Sequence, residues 1–129
     1  MSFEITVTRR PSQGGVEPSV VRLSGALDLT SAPAADKVLT PLVATSPKVV
    51  VFDLAELRFL DSTGISLLLK ARRNVEGKGG SVFITNMQPQ IRKVFDIVKA
   101  LPGTAVFQSM KEMDEYLKNI QEQVQDGGA

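Results

Sequence analysis

The sequence predicts a single α/β domain spanning residues 1–129. Its sheet is mixed and mostly parallel, of four to five strands with about four helices, in the order ββαβαβαβα. Three observations carry this. Val49-Val50-Val51-Phe52-Asp53-Leu54 is nearly continuous apolar sequence rich in β-branched residues, as in a strand buried on both faces. From there on, strand-like and helix-length runs alternate, which favours parallel strands joined by right-handed crossovers. Two strand-like runs with only a loop between them come first, and these favour an antiparallel hairpin.

Phe3-Glu4-Ile5-Thr6-Val7-Thr8-Arg9 alternates, with Phe3, Ile5 and Val7 on one face: a half-buried strand. Pro11-Ser12-Gln13-Gly14-Gly15 is a turn or loop. Val20 to Gly25 resumes the strand pattern. Thr30 or Ser31 then suits a helix N-cap, with Pro33 in the first turn, where its missing N–H costs little. That helix runs to about Val43 and should bury Ala35, Val38, Leu39 and Leu42. Asp53 reads as a solvated residue near the end of its strand. A second helix runs from Gly64 to about Val75 with a wide apolar face, formed by Ile65, Leu68 and Leu69 beside Leu67, Ala71 and Val75. Gly77-Lys78-Gly79-Gly80 is a turn and lacks the spacing of a phosphate loop. Ser81 to Thr85 is a strand, and Ile91, Val94, Phe95 and Val98 mark a third helix begun at Pro89. Thr104 to Phe107 suits a short edge strand. Met110, Met113, Leu117, Ile120 and Val124 mark a last helix capped by Ser109. The core is expected over residues 3–122, with a frayed tail at 123–129.

Composition narrows function. The chain of 129 residues has 15 Lys plus Arg against 14 Asp plus Glu, so no basic excess marks a nucleic-acid surface. No apolar run approaches the roughly 20 residues that span a bilayer. Met1-Ser2-Phe3-Glu4 does not begin a signal peptide, so a cytoplasmic location is expected. There are no Cys and no His, which removes thiol nucleophiles, the usual general base and most metal sites. No enzyme activity, cofactor or metal is expected. A carboxylate enzyme using Asp53 and Asp61, or a nucleotide-binding cleft, lacks the supporting side chains.

The junction that bears on function is Phe59-Leu60-Asp61-Ser62-Thr63-Gly64-Ile65, where a strand passes through a short turn into a helix. Asp61, Ser62 and Thr63 are N-cap residues. From the residues alone two readings stand. The stretch is only a cap, or Ser62 or Thr63 is a hydroxyl displayed for modification or binding. Gly64, without a side chain, would let another surface approach closely. Binding sites in such sheets form at the carboxyl ends of the strands. Asp61 to Gly64 lies past one such end and Asp28 past another, so the two are expected to be near each other.

Leu23-Ser24-Gly25-Ala26-Leu27-Asp28, Val49 to Leu54, Phe59 to Ile65 and Ile91-Arg92-Lys93-Val94-Phe95, in that order, resemble the STAS domain. More narrowly, they resemble the bacterial anti-sigma factor antagonists. The resemblance implies a partner switch. The unmodified antagonist binds an anti-sigma factor that is also a serine kinase of the histidine-kinase-like ATPase type, and this frees a sigma factor. The kinase phosphorylates the Ser after the motif's Asp, and a PP2C-type phosphatase reverses the change. The matching position is Ser62, with Thr63 as a secondary hydroxyl. Asp28, Asp61, Ser62, Thr63, Gly64, Ile65 and Ser66 are the partner-binding residues it implies. The chain is then a monomer or weak dimer, with no nucleic acid or membrane partner. Two departures stand out: Ser66 replaces a Gly frequent in the family, and the loop from Pro11 to Pro18 is long. The alternative is a non-switching STAS scaffold subunit of a stress-sensing complex or a lipid transporter.

Overall fold

The computed structural model describes residues 2–9, 17–100, 114–115 and 117–122. Strand β1 (Phe3–Arg9) pairs antiparallel with β2 (Ser19–Leu27), with Ile5 opposite Leu23 and Val7 opposite Val21. Helix α1 (Ala32–Ala44) follows, then β3 (Val49–Leu60), α2 (Ser62–Gly77), β4 (Ser81–Thr85) and α3 (Pro89–Ala100). Residues 114–115 and 117–122 are helical as well. The sheet order is β1-β2-β3-β4, and β3 is parallel to both neighbours. The mixed sheet and the element order are those the sequence predicts. The expected strand at Thr104 to Phe107, the loop residues 10–16, and Ser109, Met110, Met113 and Val124 lie outside the described residues. No described helix is long and apolar enough to cross a membrane.

The core gathers one face of the sheet (Val21, Leu23, Val50, Phe52, Leu54) against α1, α2 and α3. Leu39 and Leu42 come from α1, Ile65, Leu68 and Val75 from α2, and Ile91 and Val94 from α3. Leu117 joins them from the last helix. Val38 is only half-buried, and Val43 takes the place expected for it. Helix α1 carries apolar residues on adjoining sides, so whether Val38 or Val43 is buried rests on which side meets the sheet.

Strand β3 departs most from expectation. It continues six residues beyond Leu54, to Leu60. It is also not buried on both faces: Val50, Phe52 and Leu54 are buried, while Val49, Val51 and Asp53 are only half-covered. Asp53 therefore sits mid-strand, on the less covered face, where its carboxylate pairs with Arg22 (3.3 Å) and accepts from Asn86 and from the Ala55 amide. The register against β2 shifts between Arg22 and Ser24 and again between Gly25 and Ala26, with the extra residues in β3. Such bulges re-phase a strand. After the exposed pair Ala55 and Glu56, Leu57 and Leu60 turn inward again and are fully buried. Gly25 lies at the second shift with φ +83°, and a Cβ there would collide with the Ser2 carbonyl.

Strand β4 accompanies β3 only as far as Asp53. Three glutamines satisfy backbone groups of β3 beyond that point. Gln88 donates to the Ala55 carbonyl (2.7 Å) and Gln90 to that of Arg58 (3.5 Å). Gln121 accepts from the Leu60 N–H (2.9 Å) and donates to its carbonyl (2.7 Å). Buried backbone groups need such partners wherever a neighbouring strand ends.

Candidate functional site

Leu27 and Leu60 are register partners in parallel strands, so the turns after β2 and β3 leave the same edge of the sheet. That edge is where parallel sheets place their sites. The turn after β2 is built by Asp28. Its Oδ1 accepts from the amides of Thr30 (3.0 Å) and Ser31 (3.1 Å) and from the Thr30 hydroxyl (2.7 Å). Burial opposes the charge on Asp28, but these bonds together outweigh it and hold the carboxyl below its ordinary pKa. Ser31 stands at the N-cap position of α1, yet its side chain caps nothing. Its hydroxyl donates to the Ala26 carbonyl (2.7 Å) and accepts from the Asp28 amide (2.9 Å), closing the turn.

The turn after β3 is built by Asp61, the N-cap of α2. Its Oδ1 accepts from the Gly64 amide (2.9 Å) and its Oδ2 from the Leu29 amide (3.1 Å) in the other turn. Its own amide donates to the Leu27 carbonyl (3.3 Å). One carboxylate thus caps a helix and ties the two turns together. Burial pushes the Asp61 carboxyl above its usual pKa. The amides of Gly64 and Leu29 oppose that shift, while the charges of Asp114 and Asp28 add to it.

The predicted site residues fall into two groups. Asp28, Thr63 and Ser66 reach the surface in part or fully, and Asp28 and Asp61 are near enough for their charges to interact. Asp61, Ser62, Gly64 and Ile65 are buried. Gly64 is needed by the protein's own backbone. A Cβ there would collide with the Leu27 carbonyl and lie 2.7 Å from Leu60 Cδ1. The close approach expected at Gly64 is therefore made from inside, and Ile65 is core; neither offers side-chain area to a partner. Ser62 is not displayed as expected. It is 2% exposed, and its Oγ has no hydrogen-bond partner among the described residues. Its amide donates to Asp114 Oδ1 (2.9 Å) in the last helix.

Leu29 was not singled out by the sequence. It is 70% exposed, and its amide is held by Asp61. It borders two hollows at this edge. One continues over Pro33, Thr63, Ser66 and Lys70, between the starts of α1 and α2. The other is walled by Asp28, Asp61, Asp114 and Lys118. Leu27-Asp28-Leu29 reads in sequence as the continuation of a strand, so nothing but the turn could mark Leu29 as exposed. Among the described residues no group of three or more side chains could hold a metal ion.

The family model for the STAS domain matches residues 8–113, which include both turns. The chain belongs to the STAS-domain family. It is 29% identical over 96 residues to the anti-sigma F factor antagonist of Lysinibacillus sphaericus, covering 74% of this chain and 77% of that one. The structure of an anti-sigma factor antagonist from Mycobacterium paratuberculosis matches with a TM-score of 0.60 and 26% identity, over 92% of this chain and 95% of that one. The structure of the anti-sigma factor antagonist SpoIIAA in its unphosphorylated form matches with a TM-score of 0.56 and 25% identity, over 71% and 83%. A STAS domain with such relatives is a regulatory binding protein and not an enzyme.

Proposed function

We propose that this chain is an anti-sigma factor antagonist acting in the cytoplasm. Its unphosphorylated form binds an anti-sigma factor that is a serine kinase of the histidine-kinase-like ATPase type, and a sigma factor is released. Phosphorylation of Ser62 switches binding off, a PP2C-type phosphatase restores it, and Thr63 is the secondary acceptor. The supporting observation is the tie made by Asp61. It fixes exposed Leu29 beside the start of α2, so an apolar contact and the Ser62–Thr63 pair share one edge of the sheet. Asp28, Thr63 and Ser66 line the hollows that Leu29 borders.

The switch has a simple energetic basis. A phosphate adds about −1.5 to −2 charges. At the N-terminus of α2 the helix dipole favours an anion by about 0.3–1 kcal/mol, so the helix tolerates it. In a complex the same group is stripped of water against a protein surface, at a cost of several kcal/mol. Every 1.4 kcal/mol is tenfold in affinity, so binding falls by orders of magnitude.

The burial of Ser62 favours a second reading, a STAS scaffold subunit whose serine is not modified. One experiment separates them: incubation with the candidate kinase and ATP, then mass spectrometry of wild type, Ser62→Ala and Thr63→Ala. A phosphate lost only in Ser62→Ala supports the switch. A wild type that stays unmodified while binding the kinase supports the scaffold.

A further inference from the structure

The last helix grips the chain on both sides of the β3–α2 junction. Asp114 Oδ1 holds the Ser62 amide, and Gln121 holds both backbone groups of Leu60. Leu117 and Gln121 are fully buried, so this segment is docked on the domain. Asp114 occupies a particular place. The first amides of a helix are the groups that bind a phosphate. Here the Gly64 amide is taken by Asp61 and the Ser62 amide by Asp114. The hydroxyl that would carry the phosphate is buried and has no partner among the described residues.

We propose that Asp114 stands where the phosphate of a modified Ser62 would bind, so that phosphorylation expels its carboxylate and undocks Asp114, Leu117 and Gln121 from the Ser62 edge. This rests on the reading that Ser62 is the modified residue. A phosphate attached to Ser62 cannot stay buried without donors. One donor of that first turn is its own residue's amide, which Asp114 holds. Two anions cannot share that N–H, and Asp61 and Asp28 add to the repulsion. Asp61 is fixed by two amides and cannot yield without opening both turns. Among the described residues Asp114 has a single such bond to this edge, and it is the group that leaves. Lys118 lines the same hollow and softens the repulsion, but it does not replace the lost amide. In reverse, docked Asp114 keeps Ser62 covered, so the kinase acts on the chain only while the segment is lifted.

The test needs no kinase. Phosphoserine is incorporated at position 62 by codon reassignment, and amide hydrogen exchange is followed residue by residue. The probe is the Leu60 N–H, whose partner is Gln121. Its exchange should rise by about tenfold or more, the value of one charge-assisted hydrogen bond. Val50 and Phe52, paired within the sheet, should stay protected. Asp114→Ala in the unmodified chain should raise Leu60 exchange by a similar factor, and phosphoserine should add little to it. Unchanged Leu60 exchange in the phosphoserine chain overturns the proposal. So does an equal rise with and without Asp114. If the phosphoserine chain unfolds, Val50 and Phe52 lose protection too. The unmodified Asp114→Ala chain then decides, and wild-type exchange at Leu60 overturns the proposal. None of these outcomes bears on whether a kinase modifies Ser62, which the mass-spectrometric experiment reads separately.

Discussion

Replacing Asp61 tests the construction of the site most directly. Asp61→Ala removes the N-cap of α2, a loss of about 0.5–2 kcal/mol. It also strips the Leu29 amide of its acceptor, and an unsatisfied, partly buried N–H costs about 1–3 kcal/mol. Against this, the variant relieves a buried carboxylate that faces the charges of Asp114 and Asp28. Water also reaches the Leu29 turn and replaces part of the lost bond. The net destabilisation should be about 2 kcal/mol, toward the low end of the summed terms. Asp61→Asn keeps the shape but offers one acceptor oxygen to two amides, so it should lose about half as much. Urea unfolding followed by circular dichroism measures both. Exchange of the Leu29 amide should rise in each. pH adds a signed check. The carboxyl pKa of Asp61 is raised by folding, so its stabilising contribution is full below the unfolded value and is lost as pH rises through the folded one. The advantage of wild type over Asp61→Asn should therefore grow as the solution is acidified from neutrality. An Asp61→Ala chain within about 0.5 kcal/mol of wild type, with the Leu29 amide still protected, would refute the account of a single carboxylate joining two turns.

Four further outcomes follow from the same geometry. Gly64→Ala should destabilise by about 1–3 kcal/mol because the Leu27 carbonyl and Leu60 leave no room, whereas Gly77→Ala, with open space around it, should be neutral or slightly stabilising; thermal unfolding compares the two. Gln121→Ala leaves both backbone groups of Leu60 without their buried partner and should lose at least about 2 kcal/mol in urea unfolding. Burial opposes charge on Asp28 and Asp53, but their hydrogen bonds, with Arg22 also acting on Asp53, lower both pKa values; the stability they add is present above the ordinary aspartate range and is lost as pH falls through the folded values, so Asp28→Asn and Asp53→Asn should flatten the acid limb of the stability curve. Leu29→Ser should leave stability within about 0.5 kcal/mol of wild type while weakening capture of the proposed anti-sigma factor partner, as read by calorimetry.

Much of the frame is legible in the chain because short-range patterning specifies it. Alternation in Phe3 to Arg9, the apolar run from Val49 and the helical spacing of Ile91, Val94 and Phe95 each mark an element by the face it must bury. Asp61 as an N-cap is legible for the same reason, since capping is a local bond. The end of β3 is not. Its bulges break the alternation at Ala55 to Arg58, so the strand pattern stops at Leu54. Asp53 is misplaced with it, because a residue near the apparent strand end is in fact mid-strand and ion-paired.

The sequence by itself determined an α/β chain without thiol or imidazole chemistry, with Asp61, Ser62 and Thr63 at a strand-to-helix junction, and with enough of the STAS pattern to single out Ser62. Those are properties of composition and of neighbouring residues. The tertiary structure alone decided which of them face solvent. Leu29 is displayed because Asp61, 32 positions later, holds its amide. Ser62 is buried, and Asp114, 52 positions later, holds its amide. Gln121 bonds Leu60 from 61 positions away. Contacts at such separations depend on how parallel strands bring distant turns to one edge, and no local pattern encodes them.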